Sequence, residues 1–339
     1  MILENSTDQI SIVVHGGAWG IPDEEKEGCL AGVRTACQIG YDILKSPTGT
    51  AIEAAQLAIE SMELDPIFEC ARGSSLNASG YLELDALIAD GKFNIGAVAG
   101  IRNHLHPIRI ARGVRDKTSH ILLTGQGANE FANLIGEKEV PNSELVVGRG
   151  KQMVEKMKNN GNADNLNGLR SDFDNVKLDS FSKIKGQPAV DFPSDTVGVV
   201  CRDRHGNVAV ALSTGGVPQK LAGRVGDTPL WGAGGYADGH FAAASTGYGE
   251  DLIKAVMAKS VVDRLQQCEP SQKSAQECAL KQVEHFGSKF NGKGGIISID
   301  SQGNPGIAFN TPRMAFAYRV EGDPRGCVAG IEQEDIPKY

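Results

Sequence analysis

Apolar positions in the first part of the chain follow two spacings, one typical of strands and one typical of helices. The run IVVHGG predicts an opening strand over residues 10–15. Thr50, followed three residues later by Glu53 and then by apolar residues at helical spacing, predicts a capped helix that ends before Asp65. Strands mixed with helices predict an α/β or α+β chain. Further strands are predicted over residues 93–100 and 121–124, and further helices over 23–44, 107–115 and 128–135.

Regular patterns return after residue 195. The runs at 196–201 (TVGVVC) and 208–213 predict the two strands of a hairpin, joined by the turn RDRHGN. Apolar residues at helical spacing predict one helix over 249–267 and another over 271–286. A late hairpin is predicted between residues 294 and 310.

The stretch between these two parts lacks a periodic apolar pattern. Residues from about 137 to 194 are rich in Asn, Lys, Asp and Gly, apart from a helical pattern near 150–158. This composition predicts an exposed linker, longer than compact domains usually contain. Such a linker is either functional or a place where the chain is cut.

Composition and charge exclude several classes of protein. Among 339 residues there are 42 glycines without a three-residue period, which excludes a collagen-like chain. No apolar run approaches the ~20 residues of a membrane span. The net charge of −8 disfavours nucleic acid or anionic lipid as a partner. Seven cysteines without CxxC spacing indicate reduced thiols, and the N-terminus lacks signal-peptide character, so a cytoplasmic location is expected.

Thr196 is the most informative residue, because the linker ends one position before it. A threonine in a strand needs no function to explain it. Cleavage between Asp195 and Thr196, however, would make Thr196 a new N-terminus whose α-amine has an ordinary pKa of about 7.7–8.0. That amine can act as general base for the hydroxyl of its own residue, so the chemistry needs no histidine.

Glycine-framed residues downstream supply the other candidate groups. Thr214 ends the second strand of the hairpin and would place another hydroxyl beside Thr196. Arg224 and Asp227 form either a surface ion pair or a clamp, in which the guanidinium binds an α-carboxylate and the aspartate binds an α-ammonium. Thr246 and the N–H of Gly247 are candidates for an oxyanion hole.

Many ordered motifs give the chain a resemblance to a known family. It resembles the plant-type (type III) L-asparaginase and isoaspartyl peptidase family of N-terminal-nucleophile hydrolases, over roughly residues 12–135 and 195–318. The motifs are HGGAWG at 15–20, DPIFECARGSSLN at 65–77, LDALIADGKFNIGAVAG at 84–100, NHLHPIRIAR at 103–112, DTVG at 195–198, STGG at 213–216, GRVGDTPLWGAGGYAD at 223–238 and STGYGE at 245–250.

The resemblance implies an α+β fold, a four-layer αββα sandwich forming one structural domain. It implies a precursor that cuts itself into an α subunit (1–195) and a β subunit (196–339), which assemble as dimers of αβ units. It also implies a structural sodium ion in an α-subunit loop; otherwise no cofactor is expected. The expected substrates are L-asparagine and β-aspartyl dipeptides. The implied roles are nucleophile for Thr196, assistance for Thr214, substrate binding for Arg224 and Asp227, and oxyanion stabilisation for Thr246 and Gly247.

Two departures from the family pattern bear on this expectation. The family has Phe-Asn-Ala-Gly where this chain has Phe68, Glu69, Cys70 and Ala71, and the family asparagine lies near the nucleophile. A carboxylate at Glu69 would disturb the base, the self-cleavage or the ion loop. Asp195 stands where the plant-type branch has glycine, although aspartate there is similar to glycosylasparaginases.

Three alternatives stay open at the level of the sequence. His104 and His106 have spacing that two metal ligands can use, although a turn before Pro107 explains them as well. A glycosylasparaginase-like amidase would use the same fold. A non-catalytic, uncleaved homologue with a scaffold or regulatory role would explain Glu69.

Overall fold

Two β-sheets and a set of helices make up the computed structural model, which describes residues 9–148, 150–152, 196–218 and 220–338. The expected α+β composition is confirmed. The strands are β1 (Ser11–Trp19), β2 (Leu84–Asp90), β3 (Ile95–Ile101), β4 (Leu122–Thr124), β5 (Val197–Arg202), β6 (Val208–Thr214), β7 (Gly235–Asp238), β8 (Phe241–Gly247), β9 (Gly294–Ile299), β10 (Pro305–Phe309), β11 (Arg313–Val320) and β12 (Val328–Gly330).

Helices precede, separate and follow these strands. The α-helices are α1 (Lys26–Lys45), α2 (Ala51–Leu64), α3 (Pro107–Lys117), α4 (Gly125–Leu134), α5 (Asn142–Leu145), α6 (Gly249–Ala255), α7 (Met257–Leu265) and α8 (Gln272–Phe290), and 3-10 turns cover Asp23–Glu25 and Gln333–Asp335. Among the described residues, no helix combines the length and the apolar character that crossing a bilayer requires.

The larger sheet interleaves strands from the two parts of the chain. Its order is β12-β11-β1-β5-β6-β2-β3-β4, and that of the smaller sheet is β10-β9-β8-β7. β5 and β6, from the second part, lie between β1 and β2, from the first part, and all three contacts are antiparallel. The centre of the larger sheet is therefore built from both sides of the predicted linker.

Among the described residues, three large apolar clusters fill the space around the sheets. Alternate residues of β1 point to opposite faces, as strand geometry requires. Ile12 and Val14 pack in a cluster with α1 and α2, whereas Val13 packs in a second cluster with residues of β8 and β9. A third cluster joins the smaller sheet to α7 and α8. Residues that share a face with Val13 therefore point toward the smaller sheet.

Helix boundaries test two of the sequence predictions. The start of α2 is confirmed, because the Thr50 hydroxyl accepts the N–H of Glu53 at 3.3 Å. The prediction of one helix over 249–267 is wrong, because Val256 has a left-handed φ of 45° and divides it into α6 and α7. The N–H groups of Ala258 and Lys259, in the first turn of α7, donate instead to the preceding loop, to the carbonyls of Ala233 and Gly232.

The beginning of the predicted linker is structured. α5 lies within it, and Leu145 is buried against Leu76 and Leu82. The N–H of Val140 also donates to the carbonyl of Asn103 at 2.7 Å. The stretch predicted as a linker therefore begins with a short helix, and residues 141–144 within it are exposed. Residues 153–195, which include Asp195, lie outside the described residues.

Candidate active site

Thr196 lies directly before β5 and is 4% exposed. Val197 pairs with Ser213 of β6, so the antiparallel register, continued by one step, places Thr196 opposite Thr214. Thr214 in turn pairs with Asp85 of β2. Residues opposite one another in such pairs project to the same face. Thr196, Thr214 and Asp85 therefore form a row across three strands, on the face toward the smaller sheet.

The imidazole of His15 packs at the start of β5. His15 pairs with Gly198, and its ring is fully buried. Burial lowers the pKa of His15 from 6.5 to about 3, and a backbone group of Thr196 offsets part of this effect. The ring beside Thr196 is thus neutral at pH 7.

Thr228 provides a side-chain contact to the candidate nucleophile. Its Oγ1 lies 3.2 Å from the Oγ1 of Thr196, and both residues are buried. Thr228 was not among the candidate residues predicted from the sequence, although it lies within the motif at 223–238. The available signal was its place directly after Asp227, at the end of the glycine-framed turn.

Thr214 is held by the loop that follows it. Its Oγ1 accepts the N–H of Gly216 at 3.0 Å, and it is 3% exposed. The neighbouring Ser213 points to the opposite face, where its hydroxyl donates to Glu63 at 2.7 Å. The hydroxyls of Ser213 and Thr214 therefore point to opposite faces of the larger sheet and bind different groups.

Asp227 is buried and Arg224 is half-buried, but they do not form the surface ion pair considered as an alternative. The Nε and Nη2 of Arg224 donate to the two carboxylate oxygens of Glu250, at 2.9 and 2.8 Å. Asp227 accepts the hydroxyl of Ser245 at 3.2 Å. Burial raises the pKa of Asp227 to about 7, although the nearby Arg224 opposes this shift. Glu250 was not predicted from the sequence as the partner of Arg224.

Thr246 and Gly247 are the last two residues of β8, directly after Ser245, which contacts Asp227. Ala242 and Ala244 pack between the sheets, so Thr246, at the next alternate position, faces the larger sheet. Gly247 has a φ of 142°, and a Cβ there would lie 2.5 Å from the carbonyl oxygen of Lys293. Only glycine fits this position without rearrangement.

Glu69 is fully buried beside the loop that follows β6. Its Oε1 accepts the N–H of Ser75, and its backbone carbonyl accepts the N–H of Gly215 at 2.7 Å. Glu69, which departs from the family pattern, is therefore hydrogen-bonded to the residue that directly follows Thr214.

The two histidines considered as metal ligands contact different parts of the structure. His106 precedes α3, and its Nδ1 lies 3.1 Å from the Glu63 carboxylate. His104 forms an isolated bridge with Glu139. Within the described residues there is no group of three or more His, Cys, Asp or Glu side chains that could hold a metal ion.

Comparisons with known proteins identify the family of the chain. A sequence profile of the family described as asparaginase matches residues 8–327. The chain is 40% identical to an isoaspartyl peptidase/L-asparaginase of Xenopus laevis over 90% of this chain and 91% of the relative. It is 37% identical to the isoaspartyl peptidase/L-asparaginase of Homo sapiens, over 92% and 93%. Identity with a plant-type L-asparaginase of Pyrococcus abyssi is 39%, over 92% and 97%. The chain belongs to the asparaginase family.

Proposed function

We propose that this chain is a threonine hydrolase that cleaves β-aspartyl amide bonds, converting L-asparagine to aspartate and ammonia and hydrolysing isoaspartyl dipeptides. The observation that carries the proposal is the buried hydroxyl of Thr196, 3.2 Å from that of Thr228 and opposite Thr214 in the register. The names of the relatives, isoaspartyl peptidase/L-asparaginase, support the substrate class.

Self-cleavage between Asp195 and Thr196 takes place once, before any substrate is hydrolysed. The freed amine of Thr196 takes the proton of its own hydroxyl, and the oxygen attacks the side-chain carbonyl of the substrate. The resulting ammonium gives this proton to the leaving nitrogen, so ammonia or an amino acid departs, and water then releases aspartate from the acyl-enzyme. Thr246 and the N–H of Gly247 stabilise the oxyanion, and Thr214 assists the nucleophile. His15, with its pKa lowered to about 3, is too weak a base to compete with the amine.

Arg224 and Asp227 bind the two charged groups of the substrate. Arg224 uses Nε and Nη2 for Glu250, which leaves its Nη1 for an α-carboxylate. Asp227 has a pKa of about 7 in the unbound site. An α-ammonium beside it favours the carboxylate form, so substrate binding lowers this pKa.

The finer architecture belongs to the same proposal. The three apolar clusters support a four-layer αββα sandwich in which residues 1–195 and 196–339 form one structural domain. The seven cysteines are free thiols, which supports a reducing, cytoplasmic environment. Dimers of αβ units are the expected assembly, and light scattering coupled to gel filtration measures it.

A structural sodium ion fits the chemistry of the loop after α2. The carbonyl oxygens of Pro66 and Phe68 converge on Gly73, where a Cβ would lie 2.6 and 2.8 Å from them. Hard cations prefer such oxygen ligands. These carbonyls would hold sodium, which would stabilise the loop that carries Glu69 and take no part in the bond cleavage.

Purification of the wild type and two variants tests the proposal. Wild type should give fragments of 195 and 144 residues, the second beginning Thr-Val-Gly-Val. Thr196→Ala should stay one chain without amidase activity, whereas Thr196→Ser should still be cut. A single-chain wild type without activity on L-asparagine would support the uncleaved scaffold instead. Activity only on glycosylated asparagine would support the glycosylasparaginase-like alternative.

A further inference from the structure

Asp85 is a fully buried carboxylate that the proposed reaction does not use. It lies directly opposite Thr214 in the β2–β6 register. Its Oδ1 accepts the N–H of Gly100 at 2.8 Å, whereas its Oδ2 has no hydrogen-bond partner in the part of the chain that the structure describes. A buried carboxylate oxygen left in this state costs folding free energy, and such groups concentrate at functional sites.

Lys220 brings the opposite charge to the same place. It is 4% exposed, and its Nζ donates to the backbone carbonyl of Glu83 at 2.9 Å. A Cβ on Gly216 would lie 2.9 Å from this Nζ, and the N–H of Gly216 is the donor to Thr214. A negative and a positive group therefore flank Thr214, one across the sheet and one along the loop.

In each of the two residues, burial shifts the pKa, and the charge of the other residue is the largest influence that opposes this shift. Burial lowers the pKa of Lys220, and Asp85 is the largest influence that raises it again. Burial raises the pKa of Asp85, and Lys220 is the largest influence that lowers it. Arg224, Glu83 and Glu69 have smaller effects.

The Glu83 carboxylate is held by other groups. It accepts the N–H of Gly223 at 3.0 and 3.1 Å and an amide hydrogen of Asn77 at 3.0 Å, and Arg102 lies 3.6 Å away. The charge of Lys220 therefore compensates mainly the charge of Asp85, next to Thr214.

We propose that Asp85 and Lys220 are positioning residues: a buried pair of opposite charges that holds Thr214 and sets the electrostatic potential at the amine of Thr196. The inference rests on the proposed function, in which that amine is the general base. Because the pair carries no net charge, its two opposite contributions to the potential at that amine largely cancel, and removing either charge alone leaves the other uncompensated.

The sheet geometry sets the expected size of the effect. Asp85 is two strand spacings from Thr196, or about 10 Å. At an effective dielectric constant of about 20, one uncompensated charge at that distance shifts a pKa by about one unit. A negative charge left alone favours the ammonium form and raises the pKa of the amine, whereas a positive charge left alone lowers it.

Variants that remove one charge or both test the inference. Thr196 must be neutral at its amine to act as base. In the complex with L-asparagine the α-ammonium keeps Asp227 a carboxylate, so the acidic limb of the kcat profile follows the pKa of the amine. Asp85→Asn should move the limb about one unit to lower pH, and Lys220→Met about one unit to higher pH. The double variant should restore the wild-type limb. Asp203→Asn, a buried carboxylate at the opposite end of β5 and β6, is the matched control and should leave the limb in place.

Different outcomes separate this inference from the proposed function. N-terminal sequencing shows for each variant whether Thr196 is free, and a wild type without that terminus contradicts the proposed function itself. If the acidic limb of the pH profile does not move in either single variant, or moves in the same direction in both, the pair is only structural. If a single variant does not fold, the double variant tests the inference instead. It replaces two opposite charges with two uncharged side chains, so the net charge of the site does not change. A double variant that is unfolded, or whose limb is displaced, overturns the inference.

Discussion

The ring of His15 occupies the space that any side chain at position 198 would need. A Cβ on Gly198 would lie 2.1 Å from the Nε2 of His15, because the two residues are directly paired across β1 and β5. The glycine two residues after Thr196 is therefore required by a close approach between strands, not by the conformation of its own backbone.

Gly198→Ala should consequently destabilise the protein. The added methyl must displace a buried ring in a paired strand, and overpacking of this kind costs about 1–3 kcal/mol. Urea denaturation of both proteins measures the loss. Gly127→Ala is the control, because a Cβ there meets nothing within 4 Å in α4 and should stabilise the helix slightly. Equal stability of Gly198→Ala and wild type would contradict the packing argument.

His15 should also make the protein sensitive to mild acid. Its pKa in the folded chain is about 3, below the 6.5 of an unfolded chain. The unfolded state therefore binds more protons below pH 6.5, and stability falls as the pH drops from 6.5 toward 3. Between pH 6.5 and 5 this contribution is about 2 kcal/mol. His15→Gln should lose less stability over that interval, as measured by thermal melts. Parallel curves for the two proteins would refute the assignment.

Thr228 should orient the proposed nucleophile, Thr196, through its hydroxyl. Thr228→Val keeps the shape but removes the contact at 3.2 Å with Thr196, and one hydrogen bond of about 0.5–1.5 kcal/mol corresponds to roughly a twofold to tenfold loss in kcat. Thr228→Ser keeps the hydroxyl and should retain most of the activity. The idea fails if both variants lose activity equally while their melting temperatures match the wild type.

Arg224→Lys should impair the binding of the α-carboxylate. The lysine retains the charge, but its ammonium lacks the separate Nη1 that Arg224 offers an α-carboxylate while Nε and Nη2 hold Glu250. One charge-assisted hydrogen bond is worth about 1.5–3 kcal/mol, or roughly tenfold to a hundredfold in kcat/KM. L-asparagine should be affected much more than its α-amide. Arg325→Lys, whose forked contact with Asp323 lies on the surface, is the control. An equal loss with both substrates would limit Arg224 to its contact with Glu250.

Val256→Asn should stabilise the protein. Val256 is 43% exposed and holds a left-handed φ of 45°, which is unfavourable for a β-branched residue but tolerated by asparagine. We expect a gain of about 1 kcal/mol in the free energy of unfolding. Leu280→Asn changes a similarly exposed residue inside α8 and should not stabilise. A loss of stability in Val256→Asn would mean that its side-chain contacts outweigh the backbone strain.

Local signals were sufficient for some of these features. The cap at Thr50 and the hairpin that sets Thr196 opposite Thr214 depend on neighbouring residues, so the sequence predicted them. Contacts between distant loops were not accessible in this way: Glu250 is 26 residues from its partner Arg224, and Thr228 is 32 residues from Thr196. The break at Val256 was missed because the loop at 232–233 supplies the hydrogen-bond acceptors for α7.

The interleaved order of the larger sheet constrains both the timing and the outcome of a cut before Thr196. β5 and β6 fill the gap between β1 and β2, so either fragment alone would expose unpaired strand edges, which are prone to aggregation. A productive cut must come after the sheet has formed. The two pieces then stay together as long as the sheet is intact, so that losing one fragment is the same event as unfolding. Dilution should leave the cut protein whole.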